Sequence, residues 1–209
     1  MPKVEAFEEH AERYDQWFAR NRFAYESEME AVRALLPEGV AGVEIGAGTG
    51  RFASPLGVKV GVEPSRPMAR VLLQRGVAAV NGVAEALPLA DGQFGFALMV
   101  TAICFLDDVE AAFREAHRVL KPGGALIIGF VDRHGPLGRA YQEHKACSVF
   151  YREATFYSVD EVVLYLRGAG FGEFAFRQTI FQPLRRIRER EPLREGYGRG
   201  SFVVVRGLK

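Results

Sequence analysis

The stretch Val43-Glu44-Ile45-Gly46-Ala47-Gly48-Thr49-Gly50-Arg51-Phe52 places three closely spaced glycines after an apolar run. Such a chain turns sharply and brings bare backbone against a ligand, because no Cβ stands in the way. The start of the following helix adds free N–H groups. A dinucleotide-binding turn uses a similar device, with its third glycine three residues after the second. Here that position is Arg51 and the third glycine is Gly50, which demotes a nicotinamide or flavin. Glu44, two residues before Gly46, points the same way. A carboxylate there repels a pyrophosphate and suits a ligand bearing an ammonium and a sulfonium. A second acid, Glu63 in Gly61-Val62-Glu63-Pro64-Ser65, ends the next apolar run, where a carboxylate accepts hydrogen bonds from both hydroxyls of a ribose.

These residues need a scaffold of strands that end together. Val40 to Ile45 and Val58 to Val62 read as strands, and Ser65 is positioned to cap a helix running to about Arg75. Ala78 to Asn81, Phe94 to Val100 and Ala125 to Phe130 read as three more strands, the last apolar throughout as a central parallel strand should be. Asp107 or Asp108 caps a helix carrying Val109, Phe113, Ala116 and Leu120 on one face, and Pro122-Gly123-Gly124 stops it. Strands separated by helices imply crossover units, a mainly parallel sheet and helices on both faces. Residues 5–36 read as one or two helices dense in aromatics (Phe7, Tyr14, Trp17, Phe18, Phe23, Tyr25), whose spacing predicts packing against the rest. After Val131 the period is lost as far as Tyr157. Ser158-Val159-Asp160-Glu161 is then a capping box for a helix to about Gly168. Two strands follow, near Phe174 to Thr179 and Phe202 to Arg206, flanking an arginine-rich connection too long for a tight turn.

A chain of 209 residues suits one α/β domain, read here as an N-terminal helical cap (1–36), a cofactor-binding core (40–131) and a substrate-side segment with C-terminal strands (132–209). The net charge of +1 argues against a polyanion or a membrane surface as partner of the whole molecule. Cys104 and Cys147 form no CxxC pair, which gives neither a cysteine zinc cluster nor a disulfide framework, and no metal site is expected. A reducing cytoplasm is the simplest compartment, since no signal-like apolar core and no membrane-length run is present.

Four ordered segments carry a resemblance: Glu44 to Gly50; Glu63-Pro64-Ser65; Ala84-Glu85-Ala86-Leu87-Pro88-Leu89-Ala90-Asp91-Gly92-Gln93-Phe94; and Glu115-Ala116-His117-Arg118-Val119-Leu120-Lys121-Pro122-Gly123-Gly124. Over about residues 40–131 the chain resembles a class I S-adenosylmethionine-dependent methyltransferase with a type 11 methyltransferase domain. The resemblance implies a Rossmann-like, seven-stranded, mainly parallel sheet with an antiparallel last strand, and S-adenosylmethionine as cofactor. It implies that Gly46, Gly48 and Gly50 wrap the methionine portion, with Glu44 near its amino group. Glu63, beside Pro64, holds the ribose, Met68 packs near the adenine, backbone around Val83 and Ala84 reads the adenine edge, and Thr101 lines the methionine end. Many relatives have an acidic residue where Val83 stands, so the bond to the adenine amino group must come from elsewhere or from water. Arg118 to Gly124 is expected to be structural.

Methyl transfer is an in-line displacement that needs positioning and dryness more than a protein nucleophile. A hydroxyl or ammonium acceptor still requires something to take its proton. The candidates are His144, Tyr141, Glu143 and Tyr151 after the fifth strand, and Tyr14 in the N-terminal helices. Val100-Thr101-Ala102-Ile103-Cys104 lacks the Asn-Pro-Pro-Tyr pattern of enzymes that methylate adenine or glutamine amino groups, and Cys104 lacks the preceding proline of a cytosine-methylating nucleophile. Cys104 reads as a buried, inert thiol. Arg185, Arg186, Arg188 and Arg190 are interleaved with Glu189, Glu191 and Glu195, which favours a solvated, salt-bridged connection over an RNA surface. The leading expectation is a methyltransferase acting on O, N or S of a small molecule. The rivals are an enzyme acting on RNA or protein, and a cofactor-binding module without turnover.

Overall fold

The computed structural model describes residues 3–209; residues 1 and 2, part of the expected N-terminal cap, lie outside the described residues. Among the described residues eight strands form one sheet in the order β3-β2-β1-β4-β5-β8-β6-β7. They are β1 (Gly42–Ile45), β2 (Val60–Val62), β3 (Ala78–Val80), β4 (Phe94–Val100), β5 (Leu120–Val131), β6 (Gly172–Thr179), β7 (Arg194–Glu195) and β8 (Phe202–Leu208). The first five pair in parallel, and β8 runs antiparallel between β5 and β6. The count corrects the expected seven. The additional strand is two residues of the arginine-rich connection, pairing Glu195 with Arg177 and Arg194 with Gln178 at the sheet edge. A two-residue strand of charged side chains has no hydrophobic alternation by which to be read.

Helices α1 (Glu5–Glu9), α2 (Ala11–Arg20) and α3 (Arg22–Arg33) precede the sheet, so the N-terminal region breaks into three helices rather than one or two. The remaining helices are α4 (Arg66–Gln74), α5 (Val109–Val119), α6 (Pro136–Glu143) and α7 (Val159–Gly168). The sheet separates two apolar layers. One gathers Val43, Ile45, Met99, Phe113, Ile128 and Val162; the other gathers Phe18, Val32, Phe52, Leu98, Ile127 and Phe202. Alternate residues of β4 and β5 face opposite layers, so both strands are apolar on both faces.

Asp108 caps α5 through the Ala111 N–H at 2.9 Å, and the capping box at Ser158 and Glu161 opens α7. Ser65 occupies the N-cap of α4, but its hydroxyl makes no cap bond and is buried without a hydrogen-bond partner among the described residues. The aperiodic segment after β5 contains α6 and a single 3-10 turn at Lys145–Cys147.

Strand order reverses between β1 and β4, the place in an open α/β sheet where loops from the two sides diverge and leave a crevice. The segment from Val83 to Ala90, which borders this crevice, is held from behind by Arg118. Its guanidinium donates to the Leu87 and Leu89 carbonyls at 3.0 and 2.8 Å and pairs with Glu115 and Asp91. Glu115 in turn accepts the Leu87 N–H at 2.7 Å. The structural role expected of Arg118 is therefore specific: it ties α5 to the crevice wall. Arg118→Met should cost about 2 kcal/mol, the scale of hydrogen bonds to a charged group discounted for partial exposure. In a chain of this size that lowers the melting temperature by roughly 5 °C, measurable by calorimetry.

Candidate active site

The crevice at the ends of β1, β2 and β4 is walled by Ile45, Gly46, Gly48, Glu63, Pro64 and Met68, and on the other side by Val83, Ala84, Val100 and Thr101. Lys3, Val4, Phe7 and Tyr14 line it from the N-terminal region, and Phe105 and Leu106 complete its lining. Gly46 and Gly48 have φ of 69° and 54°. A Cβ at Gly46 would lie 2.7 Å from that of Ala102, and one at Gly48 would fill the space facing Met68 and Tyr14. Both positions therefore favour glycine for conformation, and Gly46 needs it for room as well.

Glu63 is 6% exposed and is held by two backbone donors, the Gly48 N–H at 2.7 Å and the Ser65 N–H at 2.9 Å. Burial raises its pKa, and those two N–H groups partly offset the rise. A carboxylate has about four lone-pair directions, so further acceptor capacity remains toward the crevice. Met68 is fully buried against this wall. Thr101 follows β4 at φ 53°, an uncommon backbone state for a β-branched residue, and its N–H is held by the Gly129 carbonyl at 2.7 Å. Backbone strain of this kind is tolerated where the surroundings fix a side chain in place.

Of the four cofactor-binding positions expected in this stretch, Glu44, Gly46, Gly48 and Gly50, two are not on the crevice wall. Gly50 (φ 80°) instead lets the turn pack on α4, where a Cβ would meet Leu72 at 2.6 Å. Glu44 is 1% exposed and lies beneath the turn, because alternation along β1 points it away from the side taken by Val43 and Ile45. Burial holds its carboxyl well above the ordinary range, with the Ala53 N–H acting against this, and its Oε2 has no hydrogen-bond partner among the described residues.

A second chamber of about 460 Å³ adjoins the crevice and shares Tyr14, Thr101 and Phe105 with it. Its volume is in the range of small-molecule pockets. Aromatics dominate its lining: Trp17 and Phe18 from α2, Tyr141 from α6, and Phe150 and Tyr151 from the segment that follows. The rings of Tyr141 and Tyr151 stack at 4.7 Å, while Phe7 packs edge-on to Tyr14 and Phe105. Of the N-terminal aromatics, Phe7, Tyr14, Trp17 and Phe18 line one or both cavities and Tyr25 packs on Phe18 and Phe52, while Phe23 is exposed, against the packing expected of it.

Among the candidate proton acceptors, Tyr14, Tyr141, Tyr151 and His144 come together around this chamber, and Glu143 does not line it. Burial raises the hydroxyls of Tyr14, Tyr141 and Tyr151 well above their ordinary value, which disfavours them as bases. His144 is exposed, with Nδ1 2.9 Å from the Ala140 carbonyl oxygen. Cys104 is buried and its thiol is pushed up to about 12, as expected of an inert thiol.

Two acids here escaped the sequence reading. Asp15 of α2 accepts from the Thr49 hydroxyl at 2.7 Å and pairs with Arg51 and Arg75, joining the N-terminal helices to the glycine turn and α4. Those partners outweigh its burial and hold its carboxyl well below the usual range. Glu28 of α3 lines the chamber at 3% exposure, and burial alone lifts its carboxyl to about 8. Its signal was available in the sequence: it falls on the same helical face as Ala24, Ala31 and Val32, all of them buried.

The raised carboxyls set a pH dependence. Glu28, Glu44 and Glu63 hold protons more tightly folded than unfolded, so the unfolded chain sheds them first as pH rises, and stability falls. The Glu28 contribution is lost between its ordinary value of 4.5 and about 8. His117, lowered by burial and by Lys209, acts in the opposite direction but is a single group. The melting temperature of the ligand-free protein should therefore decline across this window, and Glu28→Gln should flatten the decline; a rise with pH in both proteins contradicts it.

Comparison with known proteins agrees with this geometry. A family model described as a methyltransferase domain matches residues 43–128. The chain is 41% identical over 206 residues to an uncharacterised protein of Methanocaldococcus jannaschii, covering 99% of this chain and 100% of that one. A crystal structure from Thermotoga maritima is 54% identical, covers 99% of both chains and superposes with a TM-score of 0.97. That protein is described as a S-adenosylmethionine-dependent methyltransferase, possible histamine N-methyltransferase. An Archaeoglobus fulgidus methyltransferase, 14% identical, shares the fold over 94% of this chain and 99% of its own with a TM-score of 0.70. The chain belongs to the S-adenosylmethionine-dependent methyltransferases, and S-adenosylmethionine is its cofactor.

Proposed function

We propose that the chain methylates a nitrogen, oxygen or sulfur atom of a small molecule seated in the aromatic chamber. The observation that carries this reading is the wall shared by the two cavities: Tyr14, Thr101 and Phe105 border both. A ligand filling the crevice and another filling the chamber would meet at those residues. The chamber's size and aromatic lining favour an organic molecule over a polymer. The arginine-rich connection lends little to an RNA reading, since Arg190 pairs with Glu30, Arg177 pairs with Glu195, and Glu191 is buried accepting the Phe181 and Gln182 N–H groups.

S-adenosylmethionine supplies a methyl group made electrophilic by its sulfonium. The chain's residues hold it and keep water out. Gly46 and Gly48 cradle the methionine portion, with Gly50 securing the turn. Glu63, already oriented by two backbone donors, accepts from the ribose hydroxyls beside Pro64. Met68 packs on the adenine, and backbone at Val83 and Ala84 faces its edge. Thr101 marks the methionine end, where Tyr14 and Phe7 exclude solvent. Glu44 supports the turn from below, on the side away from the crevice. We place this activity in a reducing cytoplasm, in keeping with the free thiols of Cys104 and Cys147; among the described residues no helix is long and apolar enough to cross a membrane.

The test is a labelled-methyl transfer screen over small amines (histamine included), alcohols, phenols and thiols, with RNA and protein extract as the competing arms. Transfer is expected to small molecules only. Glu63→Ala should weaken S-adenosylmethionine binding on the order of 100-fold, the loss of hydrogen bonds to a charged acceptor. Salt-sensitive transfer confined to RNA or protein would overturn the small-molecule reading, and cofactor binding without transfer to any arm would overturn turnover.

A further inference from the structure

Glu28 has no role in the cofactor crevice, yet it is an acid buried in the chamber beside it. Of the two buried polar side chains on α3, Ser27 is satisfied: its hydroxyl donates to the Phe23 carbonyl at 2.7 Å and accepts the Glu191 N–H at 2.8 Å. The nearby Glu191, also buried, accepts from Phe181, Gln182 and the Gln182 side chain. The Glu28 carboxyl has no such hydrogen-bond or ion-pair partner among the described residues. Buried acids are normally paired, and leaving one unpaired is costly enough that a missing partner calls for an explanation. Arg13 and Arg20 line the same chamber but lie exposed on α2 and do not pair with it.

The surroundings point to the partner. Trp17, Phe18, Tyr141 and Tyr151 line the chamber that Glu28 faces, and aromatic faces attract cations. A negative or proton-accepting group set among ring faces is the environment of an ammonium. We infer that Glu28 recognises an ammonium group, so that the acceptor is a primary or secondary amine on an aromatic or apolar frame. This rests on the aromatic chamber being the acceptor site.

The chemistry balances with Glu28 as proton acceptor. The incoming ammonium gives one proton to the Glu28 carboxylate, which frees the nitrogen lone pair. That pair forms the new C–N bond as the C–S bond breaks, its electrons passing to sulfur and cancelling the sulfonium charge. The product leaves as the methylated ammonium, and Glu28 releases its proton to solvent, one per turnover. A carboxyl lifted by burial toward neutral pH can both take that proton and give it up.

The experiment compares 2-phenylethylamine, tryptamine and histamine with 2-phenylethanol and 2-phenylethanethiol, in wild type, Glu28→Gln and Glu28→Asp, with S-adenosylmethionine affinity measured separately by calorimetry. Wild type is expected to methylate the amines in preference to the alcohol and thiol. Glu28→Gln should keep its fold and its cofactor affinity while kcat/KM for the amines falls on the order of 100-fold, through KM for the lost charge partner and through kcat for the lost proton acceptor. Glu28→Asp should recover part of the loss. Unchanged amine methylation in Glu28→Gln, preference for the alcohol or thiol, or cofactor binding without transfer to any amine overturns the assignment of Glu28. Loss of cofactor binding in the wild type would instead remove the methyltransferase reading of the site, a separate result.

Discussion

The arrangement depends on one buried carboxylate reaching between two strand ends. Glu63 takes the Gly48 N–H from the turn after β1 and the Ser65 N–H at the start of α4. Parallel strands are linked by their ladder, but the loops beyond their ends are free to splay. Two charge-assisted bonds to one side chain remove that freedom and fix the glycine turn relative to α4. The left-handed glycines make the approach sterically feasible, and the approach gives the acid its partners. Each half is unfavourable without the other: an acid buried without donors, or a turn without a reason to stay folded.

A second set of links ties the roof to this floor. Asp15 joins α2 to Thr49, Arg51 and Arg75. Phe7, Tyr14 and Phe150 then close an aromatic cluster over the junction of the two cavities. Charge fixes where the roof sits, and ring packing keeps it dry.

The parallel half of the sheet was legible because its signals are local: apolar runs, the glycine turn, the Asp108 cap and the Ser158 box each act within a few residues. The crevice was legible for a related reason, since Gly46, Gly48 and Glu63 lie where strands end and strand ends are visible in a sequence. Glu44 shows the limit. Its place in the motif was clear, but strand alternation turned its side chain under the turn instead of into the crevice. The chamber was least legible. Its walls come from α2, α3, α6 and the segment around Tyr151, which have no common local pattern and meet only through tertiary packing. β7 was missed for want of any periodicity in a two-residue strand.

Arg51 stands where a dinucleotide-binding turn would carry its last glycine, and in the folded chain it holds Asp15 of α2. The residue that distinguishes this turn from a pyrophosphate cradle also fastens the helices covering it. An evolutionary drift toward the other spacing would therefore loosen the cover, leaving Asp15 to Thr49 and Arg75, in the same substitution that altered the cradle. Ligand choice and part of the enclosure are coupled through this side chain, which narrows the routes by which such a scaffold can exchange one nucleoside for another.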